Sequence, residues 1–215
     1  MSIEQKVRDH FHEDAFRFDA IYEDQKGAFA RWVDNVWRGV VRRRFNLTLQ
    51  KLEPMQGKRV LDVGCGSGRY CLAFAECGAE WVLGVDFAPA MIKLAEQHAA
   101  RMGVTDRCDF RAGKFPEDVP EQGFDYCTAM GFFDYIENPL PLLVRMHDIT
   151  QQKMVMSFPK AVEWRVPVRR LRFWMSGCPL FLYSERQVRE LLRSAGIDNY
   201  ELIVMDRDYI VITNR

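Results

Sequence analysis

The chain has 215 residues, 30 basic against 30 acidic side chains and a pI near 6.9, so its charge does not indicate a general nucleic-acid-binding face. Its hydrophobic content of 48% is enough for the core of one domain. No stretch reaches the length of a membrane-spanning helix, and the first residues lack the apolar core of a signal peptide. Six cysteines without a C-x-x-C pair indicate reduced, mostly buried thiols in a cytoplasmic protein, with no disulfide frame and no metal site.

The first 53 residues contain one clear helical pattern. Apolar side chains recur at helical spacing and form a single stripe (Val33, Val36, Trp37, Val40, Val41 and Phe45). The arginines fall largely off this stripe, which predicts a packed helix with a solvated basic face (Arg38, Arg42, Arg43 and Arg44). We expect residues 1–53 to be a helical segment beside a domain at 54–215, and a lid over a binding site is the functional alternative.

Residues 60–68, Val-Leu-Asp-Val-Gly-Cys-Gly-Ser-Gly, carry the strongest functional signal in the chain. The apolar run with one acid, Asp62, is typical of a buried parallel strand. Gly64, Gly66 and Gly68 then permit a tight turn and the close approach of a ligand to the backbone, and a helical stretch follows. A strand, a glycine turn and a helix N-terminus together predict a nucleotide-type pocket at the carboxyl end of the strand.

A second apolar strand at 81–86 ends in Asp86, about twenty residues after the glycine turn. An acid in this place accepts hydrogen bonds from the ribose hydroxyls of an adenosine. We therefore predict Asp86 as a ribose anchor and Phe87 as a neighbour of the adenine. Replacing Asp86 by alanine is expected to weaken ligand binding with little loss of stability. Pro89 then begins a helix, as proline does in a first helical turn.

Strands and helices alternate through the rest of the chain, which predicts a doubly wound parallel α/β sheet. Expected strands lie at 59–63, 81–86, 107–111, 124–130, 153–158, 198–206 and 208–213, and expected helices at 68–77, 89–102, 140–148 and 184–195. Ser184 is predicted to cap the last helix and Gly196 to end it. A short charged turn separates the last two strands, which we expect to form an antiparallel hairpin.

The pattern Asp-x-Gly-x-Gly-x-Gly at 62–68, followed by Val-Asp-Phe-Ala-Pro-Ala-Met-Ile at 85–92, resembles the first two motifs of class I S-adenosylmethionine (SAM) methyltransferases. The resemblance covers about residues 55–213 and is nearest to the small-molecule enzymes of the ubiquinone and magnesium-protoporphyrin kinds. It implies a seven-stranded Rossmann-like sheet in the order 3-2-1-4-5-7-6, with helices on both faces. It also implies SAM as cofactor and methyl transfer to a small-molecule acceptor.

The same resemblance implies the roles of individual residues toward SAM. The glycine turn would lie against the methionine part, and Asp62 would help to hold the amino group. Many family members have an acid that binds the adenine amino group where this chain has Lys114. Asp109, or the backbone near Lys114 and Phe115, is the expected substitute. The other expected cofactor contacts are Cys65, Met91, Gly113, Met130 and, as a lid residue, Tyr22.

The stretch at 123–136, which begins Gly-Phe-Asp, resembles the family's fourth motif, whose strand end runs between SAM and the acceptor. By this resemblance Phe133 would border the acceptor. Related enzymes often carry a Glu-His pair near this point, whereas this chain has Asp134-Tyr135. Asp134, Tyr135 and His147 are therefore the candidate general bases, and a structural role in a helix is the alternative for His147.

Residues 159–183 interleave arginines with aromatic side chains. Family insertions at this place cap the acceptor pocket, which implies that Trp164, Arg169 and Arg170 bind the acceptor. Arginine pairs well with carboxylate and phosphate, so the cap suits a flat or lipophilic acceptor that bears such a group. An ordinary packed helix, or a short amphipathic helix in peripheral contact with a membrane, is the alternative.

Two other functions are compatible with parts of this sequence. A nicotinamide oxidoreductase of similar fold needs the pattern G-x-G-x-x-G, and its third glycine would stand at Arg69. A non-catalytic SAM-fold binding protein would keep the glycine turn and Asp86 and would lack turnover. The sequence gives no indication of the oligomeric state.

Overall fold

The computed structural model describes residues 28–119, 123–161, 180–205 and 207–215, and within these ranges the predicted alternation of strands and helices is confirmed. The strands are β1 (Arg59–Val63), β2 (Trp81–Asp86), β3 (Cys108–Ala112), β4 (Phe124–Ala129), β5 (Thr150–Pro159), β6 (Tyr200–Met205) and β7 (Asp208–Asn214). The helices are α1 (Ala28–Lys51), α2 (Arg69–Glu76), α3 (Pro89–Met102), α4 (Leu140–Ile149) and α5 (Glu185–Ser194), with a short 3-10 helix at Phe133–Tyr135.

The strands form one sheet in the order β3-β2-β1-β4-β5-β7-β6, which confirms the predicted fold. The first five strands along the chain are parallel, and β7 runs antiparallel to both β5 and β6. The ends of β1, β2, β4 and β5 therefore meet at one edge, which we call the carboxyl edge. Asp208 begins β7 at this edge, because it pairs with Pro159 at the end of β5.

Helices cover both faces of the sheet. On one face α2 and α3 bury Phe74 and Ala99 against the strands, together with Leu52, which follows α1. On the other face α4 and α5 bury Leu143 and Val188. Buried clusters on both faces leave the carboxyl edge as the place where loops from several strands come together. Open α/β sheets bind their ligands at such an edge.

Local sequence signals explain where several elements begin and end. Ser184 caps α5 as predicted: its hydroxyl accepts the Gln187 amide, and the Gln187 side chain accepts the Ser184 amide in return. Gly196 follows α5 with a φ of 71°, which favours glycine. β5 begins at Thr150, three residues before the predicted start, and Thr150 pairs with Phe124 of β4. The prediction missed this start because the first residues of the strand are polar and lack the apolar pattern of a buried strand.

The prediction of a fully solvated basic face on α1 is wrong at one position. Arg42 and Arg43 are exposed, but Arg44 turns inward and is only 9% exposed. Four of the five described cysteines are buried, which confirms that the thiols are mostly in the core (Cys65, Cys71, Cys108 and Cys127). None of the helices in the described ranges has the length and apolar character needed to cross a membrane.

Candidate functional site at the carboxyl edge of the sheet

The glycine turn joins β1 to α2 and is tied to the end of β2. Gly64, Gly66 and Gly68 all have positive φ, at 71°, 53° and 81°. The amides of Gly64 and Cys65 both donate to the Val85 carbonyl, at 2.8 and 3.1 Å. The loop is thus held against the neighbouring strand by contacts within the chain itself.

Close packing fixes two of the three glycines, while the third faces open space. A Cβ at Gly64 would lie 2.7 Å from Cδ2 of Phe132, and one at Gly68 would lie 2.9 Å from Cβ of Ala95. A Cβ at Gly66 would meet nothing within 4 Å. Gly66 therefore leaves room for a ligand to approach the backbone closely, as the sequence predicted for this turn.

Asp86, the last residue of β2, reaches the same turn. Its Oδ2 accepts the Gly66 amide at 3.0 Å and its Oδ1 accepts the Ala88 amide at 2.9 Å. Burial raises the pKa of this carboxyl group above its ordinary value, and the two amide hydrogen bonds act in the opposite direction. Each oxygen keeps a further lone pair, so Asp86 can hold the turn and still accept ligand hydroxyl groups.

Asp62 lies beneath the turn and is 2% exposed. Thr128 on β4 donates to its Oδ1 at 2.6 Å, and the Cys71 thiol lies 3.5 Å from its Oδ2. Burial raises the pKa of Asp62 to about 7, although these two hydrogen bonds act to lower it. Cys65 is also buried: its sulfur lies near Gly84, and its thiol donates to the Gly66 carbonyl of the turn at 3.6 Å.

The loop after β3 lies next to Asp86. The Gly113 amide donates to the Asp86 carbonyl at 2.9 Å, and the Lys114 amide donates to Asp118 Oδ2 at 2.8 Å. Phe115 is buried in the core behind this loop. Asp118 was missed by the sequence reasoning, and its position four residues after Lys114 is the signal that could have identified it as a local cap.

The prediction that Asp109 binds the adenine is not supported by its position. Asp109 is the second residue of β3 and its Oδ2 accepts the indole N–H of Trp81 at 2.8 Å. Trp81 begins β2 and therefore lies at the amino edge of the sheet, opposite the glycine turn. Phe87 and Met91, by contrast, follow Asp86 at the carboxyl edge, where Phe87 is half-buried and Met91 is buried beside Ala88.

The segment after β4 faces the glycine turn through Phe132 and not through Phe133. Met130 is buried at the strand end, and the Gly131 amide donates to Ser157 Oγ at 2.7 Å. The Phe132 ring lies against Gly64. Phe133 is fully buried and stacks on Phe158 with 4.6 Å between ring centroids, so its position does not support the prediction that it borders the acceptor.

Asp134 and Tyr135 lie on the 3-10 helix that follows Phe132, at the carboxyl edge. Asp134 is buried and Tyr135 is half-buried. The Asp134 carbonyl accepts the Phe181 amide at 2.8 Å. Burial, together with the nearby negative charge of Asp134, raises the pKa of the Tyr183 phenol to about 12. Both candidate bases therefore belong to the same edge as the glycine turn.

His147, the third candidate base, lies elsewhere. It occupies the last turn of α4, three residues before β5 begins at Thr150, and its carbonyl accepts a hydrogen bond from Arg215. It lines a cleft of about 380 Å³ at the amino edge of the sheet, together with Asp198 and Asn199. Because parallel strands separate this edge from the glycine turn, the structure does not support His147 as a catalytic base.

A buried polar cluster at the carboxyl edge was missed by the sequence reasoning. Arg44 of α1 donates from Nη1 to Asp208 Oδ2 at 3.1 Å, and a Cβ at Gly131 would lie 3.6 Å from its Nη2. The Tyr70 hydroxyl lies beside the guanidinium without a well-aligned hydrogen bond to it. Neither Arg44 Nε nor the Tyr70 hydroxyl finds a hydrogen-bond partner in the described part of the chain. No local pattern could have found a contact between residues 164 positions apart.

The predicted cap has both of its ends at the carboxyl edge. The Tyr183 amide donates to the Pro159 carbonyl and the Ala161 amide donates to the Tyr183 carbonyl, both at 2.8 Å. The segment thus leaves and rejoins the sheet at one point. Four predicted contacts lie outside the described residues (Tyr22, Trp164, Arg169 and Arg170).

Most of the chain matches a known protein family. Residues 54–196 match the family described as "Methyltransferase domain". A ubiquinone biosynthesis O-methyltransferase from Azorhizobium caulinodans is 37% identical over 131 residues, which are 56% of this chain and 50% of that protein. A ribosomal protein L11 methyltransferase from Alteromonas mediterranea is 44% identical over 75 residues, 35% of this chain and 25% of that protein. The chain thus spans half or less of the length of these curated relatives.

A solved structure matches the fold along its whole length. The magnesium protoporphyrin IX methyltransferase from Synechocystis PCC 6803, crystallised with bound S-adenosylhomocysteine (SAH), superposes with a TM-score of 0.80. The match covers 99% of both chains at 19% identity. At this level of identity the likeness shows the fold alone.

Proposed function

This chain belongs to the methyltransferase-domain family of class I SAM-dependent enzymes, and we propose that it transfers a methyl group from SAM to a small-molecule acceptor. The observation that carries the proposal is the preformed turn at residues 64–68, with Asp86 bound to it and open space at Gly66. SAM supplies a methyl group that its own sulfonium activates. The residues of the chain have to bind, orient and shield the reacting groups.

The residues around the turn fit the parts of SAM in order. Asp86 would accept the ribose hydroxyls with its remaining lone pairs. The loop at Gly113 and Lys114, with Phe87, would border the adenine, and the turn itself would border the methionine part. Asp62, lying beneath the turn, would stabilise the ammonium group directly or through a water molecule.

Arg44 and Tyr70 would bind the carboxylate of SAM. Both side chains carry a buried donor without a partner in the described residues, and Tyr70 lies at the start of the helix that follows the glycine turn. A buried donor that lacks a partner is costly, so an anion that accepts from both would be favoured there. Burial acts to lower the pKa of Arg44, but interactions with Tyr70, Asp208 and Asp134 outweigh it and raise the pKa above its ordinary value. Arg44 therefore stays charged at any relevant pH.

The acceptor would lie between the Phe132–Tyr135 region and the cap at 159–183. We propose a carboxylated or lipophilic aromatic compound, because the cap combines arginine with tryptophan. The names of the ubiquinone biosynthesis and magnesium protoporphyrin IX methyltransferases support a small-molecule acceptor, whereas the ribosomal protein L11 methyltransferase is named for a protein. A carboxylate acceptor needs no general base, whereas a phenol would use Asp134 or Tyr135.

The nicotinamide alternative finds no support in the site, because Arg69 stands where the third glycine of that pattern is needed. Calorimetric titration with SAM, SAH and NAD tests cofactor choice directly. A methyl-transfer assay over carboxylated and neutral aromatic compounds then tests turnover. Binding of SAM and SAH with transfer to at least one acceptor is expected. Binding of NAD without SAM would overturn the proposal, and SAM binding without transfer to any acceptor would favour a non-catalytic binding protein.

A further inference from the structure

We propose that Asp208, at the start of β7, is a positioning residue that orients Arg44 toward the carboxylate of SAM. This inference rests on the proposed function and deepens it, because it assigns part of the cofactor site to the C-terminal hairpin. Among the described residues, the Asp208 side chain pairs with Arg44 and Arg207, and it makes no hydrogen bond or ion pair with the glycine turn or Asp86. Its effect on the cofactor would be exerted through the Arg44 guanidinium alone.

The geometry at Asp208 is that of a built contact and not of a surface ion pair. Asp208 is 3% exposed, and register with Pro159 and Met205 fixes its backbone at the carboxyl edge. Its Oδ2 lies 3.1 Å from Arg44 Nη1 and 3.7 Å from Arg207 Nε. A long arginine side chain has many rotamers, and one rigid carboxylate on a central strand removes most of them.

The contact with Asp208 uses only one corner of the guanidinium. Nη1 is engaged, Nη2 faces the position of Gly131 after β4, and Nε has no partner in the described residues. The guanidinium is therefore held between β7 and the end of β4, with a donor left for another acceptor. A planar fork fixed in this way can pair with a carboxylate in one defined orientation.

A second ion pair between α1 and the C-terminal hairpin provides a matched control. Lys51 of α1 contacts Glu201 of β6 at 2.6 Å, so it also joins the N-terminal helix to the C-terminal hairpin. Unlike the Arg44–Asp208 pair, it is exposed and lies away from Gly131 and Tyr70. If the two ion pairs only hold α1 against the hairpin, removing either one should affect ligand binding in the same way. If Asp208 positions Arg44, only the loss of Asp208 should weaken SAH binding.

The test compares two ligands that differ in the methionine part. SAH carries the amino-acid carboxylate, whereas 5′-methylthioadenosine has the same adenosine and thioether and lacks the whole amino-acid end. Dissociation constants for both are measured calorimetrically with the full chain, for wild type, Asp208→Asn, Arg44→Gln, the double variant and Glu201→Gln. Asp208→Asn is expected to weaken SAH binding about tenfold, the size of one misplaced charge-assisted hydrogen bond. It should leave methylthioadenosine binding unchanged.

In the Arg44→Gln background the Asp208 substitution should have no further effect on SAH, since Asp208 acts through Arg44. Glu201→Gln should leave both ligands unaffected. Equal weakening of both ligands by Asp208→Asn, or an additive effect in the double variant, would overturn the positioning role. If Asp208→Asn does not fold, Asp208→Glu decides, because it keeps the charge and moves it, and it should again weaken SAH alone. Wild type that binds neither ligand would refute the proposed function itself.

Discussion

Thr128 on β4 donates a 2.6 Å hydrogen bond to the buried carboxyl group of Asp62 on β1. The bond joins two adjacent parallel strands directly below the glycine turn, because Asp62 and Thr128 are register partners. The protonation state of this buried carboxyl group is therefore linked to the stability of the fold beneath the loop that would carry the cofactor. The pH dependence of stability should therefore report on Asp62.

We predict that Asp62→Asn removes a pH-dependent part of the stability. Burial raises the pKa of Asp62 from 3.8 to about 7 in the folded chain, so folding favours its protonated form. Its contribution is fully present below pH 3.8 and is lost as the pH rises toward about 7. The free energy of unfolding of wild type, minus that of the variant, should fall across this range. Urea denaturation at several pH values measures this difference, and a flat difference would contradict the assignment.

Asp86 is predicted to affect both cofactor binding and stability. Its carboxylate accepts the Gly66 and Ala88 amides, so Asp86→Ala should destabilise the chain by about 1–3 kcal/mol, the usual cost of leaving buried donors unpaired. This differs from the sequence-based expectation that stability would hardly change. Asp86→Asn keeps one acceptor oxygen and should fold better, yet bind SAM at least about tenfold more weakly, since a charged acceptor is lost. Thermal unfolding and calorimetry measure the two effects, and wild-type affinity in a folded Asp86→Asn would rule out the ribose role.

Gly66 and Gly68 should respond differently to alanine. Both have positive φ, so each substitution carries a backbone cost of roughly 1–2 kcal/mol. At Gly68 the new Cβ would also meet Ala95 at 2.9 Å and Phe110 at 3.0 Å, so the loss of stability should be larger. At Gly66 the Cβ would enter open space, so Gly66→Ala should stay folded while losing SAM affinity. Equal destabilisation by the two variants, or unchanged SAM binding by Gly66→Ala, would be the contrary result.

His147→Gln should leave methyl transfer unchanged. The residue lies at the amino edge of the sheet, where burial and Arg215 lower the pKa of its imidazole. Asp134→Asn is the matched comparison at the carboxyl edge, and it should reduce kcat for a phenolic acceptor while sparing a carboxylate acceptor. Steady-state kinetics on both acceptor types measure the contrast. A drop in kcat for His147→Gln that matches the loss for Asp134→Asn would reverse the assignment.

Features that depend on neighbouring residues in the chain were predicted correctly, whereas contacts between distant segments were not. The glycine turn, the end of β2 at Asp86 and the cap of α5 are local patterns, and all three lie where predicted. Asp109 was predicted near the adenine, although it lies near the amino edge of the sheet, because the alternation of residues along an edge strand does not show at which end of the sheet a side chain lies. Arg44 was expected in solvent because a helical stripe separates apolar from polar positions. It does not reveal an arginine whose partner, Asp208, lies on the last strand.

The segment at 159–183 is predicted to select the acceptor and not the cofactor. Its ends are joined at the carboxyl edge by the Tyr183–Pro159 hydrogen bond, whereas the proposed SAM contacts belong to other loops. Replacing Arg169 and Arg170 together by alanine should leave SAM affinity within about twofold, because the proposed SAM contacts lie in other loops. A twofold change corresponds to only about 0.4 kcal/mol of binding free energy. The same variant should raise the KM of an anionic acceptor at least about tenfold, the loss expected for one charge-assisted pair.

The measurement combines a SAM titration with transfer assays on a carboxylated acceptor and its neutral ester or amide. The neutral analogue is the internal control, since it offers no partner for the arginines and its KM should hardly change. Substituting two exposed arginines of α1, Arg42 and Arg43, removes the same charge elsewhere and should affect neither acceptor. Loss of SAM binding in the folded cap variant, or full activity on the anionic acceptor, would show that the segment does not recognise the acceptor through these residues.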